Sequence, residues 1–152
     1  MQPVVVHRSS APRLSVLGDR QAILLSGEAT GGAFTLIEEQ NDPGTAIPPH
    51  VHEREDETFT VLEGEVLFEI RPGEPGAVRH VAGPGTTVFA PRGVPHRWEV
   101  VGRAPARVLL HVAPAGCERM FRELAALSSG PPTPDLLPAI AEICARHGVR
   151  FV

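Results

Sequence analysis

Glycine and proline interrupt this chain every few residues. Fifteen glycines and sixteen prolines stand between short apolar runs rich in Val, Phe, Ile and Thr, a rhythm that favours short strands joined by turns over long helices. Strand-sized runs lie at 21–25, 33–38, 58–62, 65–70, 86–90, 98–101 and 107–112. Turn-formers such as Asn41-Asp42-Pro43-Gly44 and Arg71-Pro72-Gly73 bound them. No helix-sized segment alternates with these runs, so a parallel sheet is disfavoured and antiparallel pairing is expected.

The period changes after Gly116. Met120, Phe121, Leu124 and Leu127 recur at spacings of three and four, and Ser128-Ser129-Gly130-Pro131-Pro132 then ends the pattern. A second stretch with the same spacing runs through Leu136, Ile140, Ile143 and His147, with Thr133 or Asp135 as its N-cap and Gly148 as its stop. These two short helices read as a clip over an open face of the β-structure.

At 152 residues one domain is expected. Residues 1–32 would supply N-terminal strands, 33–113 the β core and 114–152 the helical extension. The net charge of −4 provides no broad attraction for nucleic acid or anionic lipid. All 14 basic residues are Arg and Tyr is absent, which closes Lys Schiff-base and Tyr general-acid chemistry. The first ten residues lack a signal-like cleavage pattern, and no run approaches the ~18 apolar residues of a membrane span. A cytoplasmic location is therefore expected, with Cys117 and Cys144 as reduced thiols.

Chemistry concentrates in His50-Val51-His52-Glu53-Arg54-Glu55-Asp56-Glu57. In an extended strand His50 and His52 face the same way and Val51 the other. A short acidic turn would return the chain with Glu57 across from them, and His96 would arrive on another strand after the turn Pro91-Arg92-Gly93-Val94-Pro95. Glu53, Glu55 and Asp56 read as the solvated part of that turn. If His96 faces inward, so does Trp98. Phe59 and Val61 are in phase with Glu57, so Trp98, Phe59 and Val61 form either a pocket wall or ordinary core. His111, between Leu110 and Val112, is a pocket residue or a satisfied histidine of the β core.

The spacing of Gly44, His50, His52, Glu57 and Gly64, followed by Gly85, Pro91, Gly93 and His96, resembles the two motifs of the cupin family. Val100 departs from the pattern at a position that is often Asn. The resemblance implies a mainly β chain with a single jelly-roll β-barrel of antiparallel strands. It also implies that His50, His52, Glu57 and His96 hold one divalent transition metal. Three imidazoles and a carboxylate suit Fe, Mn, Ni, Cu or Zn without choosing among them, and an all-oxygen Ca²⁺ or Mg²⁺ site is disfavoured.

The segment from Glu57 to Glu65 and the turn ending at His96 are similar to single-domain cupins of the quercetin-dioxygenase-like group. That likeness implies a metal-dependent dioxygenase in which Glu57 is catalytic and takes the proton of an enolic or phenolic substrate. The alternative is a non-catalytic, metal-assisted sensor or binding protein for a small molecule. Sugar epimerase or isomerase chemistry is weakened by the missing Tyr and Lys. A homodimer is expected, with residues 3–6 offering an apolar strand for exchange.

Overall fold

In a computed structural model, which describes residues 2–152, the strands are β1 (Arg13–Val16), β2 (Asp19–Leu25), β3 (Thr35–Asn41), β4 (Ala46–His52), β5 (Asp56–Glu63), β6 (Val66–Ile70), β7 (Val78–Ala82), β8 (Thr87–Ala90), β9 (His96–Val100), β10 (Ala106–Ala113) and β11 (Val149–Phe151). Helices α1 (Cys117–Leu127) and α2 (Leu137–Arg146) lie between β10 and β11. Met1, the first residue of the expected N-terminal segment, lies outside the described residues.

All strand pairs are antiparallel and form two sheets, ordered β1-β2-β3-β10-β5-β8 and β11-β4-β9-β6-β7. The expected closed barrel is corrected here. The hydrogen-bonded ladders end at β1 and β8 in one sheet and at β11 and β7 in the other, so no ladder joins the sheets into a ring. Packing of side chains between the sheets does what a closed ladder would otherwise do. Ile37, Phe59 and Leu110 of the larger sheet meet Phe68, Trp98 and Val100 of the smaller in one buried cluster, and removing that apolar surface from water holds the faces together.

Helix α1 packs on β1, α2 packs on β11, and the two helices touch each other, so they bridge one edge of each sheet. Met120 and Leu124 from α1 join Ile140 and Cys144 from α2, with Val16 and Val149 from the edge strands, in a second apolar cluster. The start of α1 is seated by Glu118, whose carboxylate accepts hydrogen bonds from the Gly27 amide (2.9 Å), the Thr35 hydroxyl (2.6 Å) and the Gly116 amide (3.0 Å). The second helix departs from expectation at its start. Thr133 precedes a single 3-10 turn at Pro134–Leu136, α2 proper begins at Leu137, and neither start has a side-chain cap.

Residues 3–6 form no strand in the single chain, and Val5 is fully exposed. At the hairpin from β5 to β6, Gly64 holds φ +77°, and a Cβ there would lie 2.6 Å from Ala106 Cα and 2.8 Å from the Pro105 carbonyl oxygen. Only glycine meets both demands, positive φ and close backbone approach.

Candidate metal centre

Strand β4 contains Pro48-Pro49, which cannot donate to a ladder. Its register against β9 accordingly shifts between Ile47 and His50, and His50 then pairs directly with His96. His52 follows two residues on, with its ring on the same side. Glu57 comes from the other sheet, near the start of β5. One donor atom from each of His50, His52, Glu57 and His96 lies within 4.8 Å of the others, and none of the four residues is more than 6% exposed.

The turn that delivers His96 is clamped by both sheets. The Gly93 amide donates to the His52 carbonyl oxygen at 2.7 Å. From β5, Asp56 accepts from the Arg92 amide (2.8 Å), Arg92 Nε (3.1 Å) and Arg92 Nη2 (2.8 Å). These contacts hold the Asp56 carboxyl down at about 2.

Ring orientations are set by backbone carbonyls. His50 Nδ1 donates to the Pro48 oxygen at 2.9 Å and His96 Nδ1 to the Val94 oxygen at 3.1 Å, so the Nε2 of each ring points into the cluster. His96 Nε2 stands 2.8 Å from Glu57 Oε2, and His52 Nε2 is 3.5 Å from the same oxygen. With Nδ1 already a donor, a neutral His96 presents a lone pair to a carboxylate, a contact that needs a shared proton or a cation bound by both atoms.

Burial pushes His50 down to about 4, helped by repulsion from His96. A neutral imidazole is the metal-binding form. Burial opposes the charge on Glu57, but the attraction of His52 and the close contact with His96 outweigh it and hold the carboxyl at about 2. His52 moves the other way. Burial would lower it, and the carboxylates of Glu57 and Glu55 raise it above its ordinary value.

Glu55 is the residue that sequence reasoning missed. Glu53 is exposed as expected and Asp56 is occupied by Arg92, but Glu55 is buried with its Oε2 3.5 Å from His52 Nδ1. Both of those atoms lack a hydrogen-bond partner. A cation on Nε2 would make Nδ1–H a stronger donor toward that carboxylate, the usual arrangement behind a ligating histidine. Orphaned buried atoms on one side of His52 and converging lone pairs on the other fit a divalent transition ion held by His50, His52, Glu57 and His96.

The cluster opens onto a cavity of about 440 Å³ between the sheets and the two helices. Of the expected pocket residues, Phe59 and Trp98 line it, with Met120 and Leu124 of α1 above them. Val61 is instead fully buried in the core between the sheets. His111 is on the opposite face of β10 from Leu110, its ring 4.8 Å from that of Phe34. The helices, read as a mere clip, are thus part of the cavity wall. Asp19, Gln21 and Glu39 also line it, polar residues that the strand runs did not single out.

Residues 38–112 match the family model described as Cupin domain. Germin-like protein 3-3 of Oryza sativa subsp. japonica is 36% identical over 104 residues, which are 64% of this chain and 45% of that protein; the chain thus spans under half the length of this relative. KdgF from Halomonas sp. superposes with a TM-score of 0.66 at 19% identity, covering 78% of this chain and 99% of its own. A predicted oxalate decarboxylase from Thermotoga maritima gives 0.62 at 26% identity, covering 73% and 99%. By sequence match and by fold alike, residues 38–112 form a cupin domain.

Proposed function

We propose that this chain is a metal-dependent dioxygenase of the quercetinase-like type, acting on a small organic molecule with an enolic or phenolic hydroxyl. The observation that carries the reading is the position of Glu57, a buried carboxylate that belongs at once to the histidine cluster and to the wall of an apolar cavity. One divalent transition metal, held by His50, His52, Glu57 and His96, would supply Lewis acidity and access to O₂ chemistry. Glu57 is ionised at neutral pH and accepts the proton of a substrate hydroxyl. A carboxylate held at about 2 is a weak base, so it suits a hydroxyl already acidified in the site. Phe59 and Trp98 offer aromatic faces to the substrate ring, and the helices add Met120, Leu124 and Ile140 to the apolar wall. Oxalate is a poorer fit, because no Arg lines the cavity among the described residues and the chain has no Lys to pair with a dianion.

Glu57→Gln tests the reading, since Gln keeps a ligating oxygen and loses basicity. The variant should retain its metal and lose metal-dependent O₂ consumption with a flavonol or enediol by roughly 100-fold. Equal turnover in variant and wild type overturns Glu57 as base. A wild type that binds these compounds without consuming O₂ is a sensor or binding protein instead.

The free, buried Cys117 and Cys144 suit a reducing compartment such as the cytoplasm, which thiol counting on protein isolated under non-reducing conditions checks. A homodimer joined through the exposed residues 3–6 completes the proposal, and sedimentation at the 16.3 kDa of one chain contradicts it.

A further inference from the structure

The cavity has a second polar region that the metal chemistry does not use. On β2 and β3 the inward row contains Asp19, Gln21, Glu39 and Asn41, all buried. Part of it is self-contained. Asp19 accepts from Gln21 Nε2 at 2.7 Å and from Asn41 Nδ2 at 2.5 Å. The remainder is left open.

Gln21 is 97% buried and lines the cavity, its amide is oriented by Asp19, and its Oε1 has no hydrogen-bond partner. Glu39 sits directly opposite Gln21 in the β2–β3 ladder and lines the same cavity. Its side chain makes no hydrogen bond or ion pair among the described residues, whereas its neighbour Glu38, on the outer face, pairs with Arg8 and Arg107. An unpaired buried amide oxygen is costly to the fold, the Glu39 carboxyl opposite it faces the same cavity, and a bound hydroxyl would pair with both.

We propose that Gln21 and Glu39 form a recognition subsite for a hydroxyl group on the substrate other than the group that reacts at the histidine cluster. The inference rests on the reading of this cavity as the substrate site and names what its occupant must carry. The class is a small molecule with an apolar body, matching Phe59, Trp98, Met120 and Leu124, and at least one further hydroxyl. Burial, with Asp19 and Glu57 nearby, pushes the Glu39 carboxyl well above the usual carboxylate range. A carboxyl pairs with a hydroxyl in either protonation state, donating as the acid or accepting as the carboxylate, and Gln21 Oε1 adds a second acceptor. An anionic group finds no guanidinium or ammonium partner here, since no Arg lines the cavity among the described residues and the chain has no Lys.

Trp98 is the single tryptophan of the chain and lines this cavity, so its fluorescence reports occupancy. The probes are 1-octanol and 1-methoxyheptane, equal in heavy atoms and differing in the hydroxyl donor, titrated into protein as purified with its metal content measured. Wild type should prefer the alcohol by about 5-fold, the scale of a buried hydrogen bond. In Glu39→Leu, which replaces an unpaired buried acid with an apolar side chain and is expected to fold, the preference should drop below about 2-fold, and Gln21→Met should lower it as well. No preference in wild type, or an undiminished preference in Glu39→Leu, overturns the subsite. Metal analysis separates the two readings. Full metal content without preference sinks the subsite alone, while preference without metal sinks the metal reading alone.

Discussion

Asp56 grips Arg92 with both carboxylate oxygens, at 2.8 Å from Nη2 and 3.1 Å from Nε, and takes the Arg92 amide as well at 2.8 Å. Neither residue belongs to the cluster of possible ligands, yet each is a neighbour of one. Asp56 precedes Glu57, and Arg92 lies in the turn before His96. The pair therefore fixes, across two segments, the separation of the two groups that stand 2.8 Å apart in the cluster.

Asp56→Ala should consequently weaken metal retention against a competing chelator by about 5-fold, the upper range for a partly exposed ion pair, while leaving every ligand in place. The pair also has a pH signature. The folded Asp56 carboxyl is depressed from 3.8 to about 2, so its stabilisation is present above the unfolded value and is lost as pH falls from about 4 toward 2. The part of the unfolding curve that depends on pH in that window should diminish in Asp56→Ala. Identical retention and identical pH profiles would show that the clamp does not position His96.

Behind His52, the Glu55 carboxylate stands 3.5 Å from Nδ1. Replacing Glu55 with Ala should lower metal affinity by roughly 10-fold or more, as loss of an outer carboxylate usually does. Glu53→Ala, on an exposed residue of the same turn, should leave it unchanged. Equal affinities in the two variants would remove Glu55 from the site.

Gly64→Ala should cost about 2–4 kcal/mol of stability, from strain at positive φ together with the clash against Ala106 and Pro105. Thermal or denaturant unfolding measures it. A change below about 0.5 kcal/mol, the level of a neutral surface substitution, would contradict the close approach.

Much of the cluster is legible in the amino-acid sequence, for reasons of period. His50 and His52 alternate with Val51, Glu57 is in phase with Phe59, and His96 is in phase with Trp98, so strand geometry alone aligns each with its neighbours. Glu55 is not legible, because a carboxylate in a tight acidic turn looks solvated until the turn folds back onto His52. Gln21 and Glu39 are hidden for a related reason. Polar residues on alternate positions of a strand read as its wet face, and here that face turns into a cavity roofed by helices far along the chain.

The strands that escape a sequence reading are the ones that lack the signal. Val78–Ala82 places Arg79 and His80 on an edge where four of five residues are exposed, and Val149–Phe151 is three residues long. Closure of a barrel cannot be read at all, since it depends on whether edge strands meet, and β1, β7, β8 and β11 do not. His111 falls on the outer face because β10 buries Val108, Leu110 and Val112 in strict alternation.

The central claim is that one divalent transition metal is held jointly by His50, His52, Glu57 and His96, and elemental analysis of protein purified without added metal tests it most directly. Wild type should carry about one transition ion per chain, and His96→Ala should lose most of that ion with the fold retained by circular dichroism. Full occupancy in His96→Ala, or a wild type that takes up no transition ion even when supplied with Fe, Mn, Ni, Cu and Zn in turn, would contradict it.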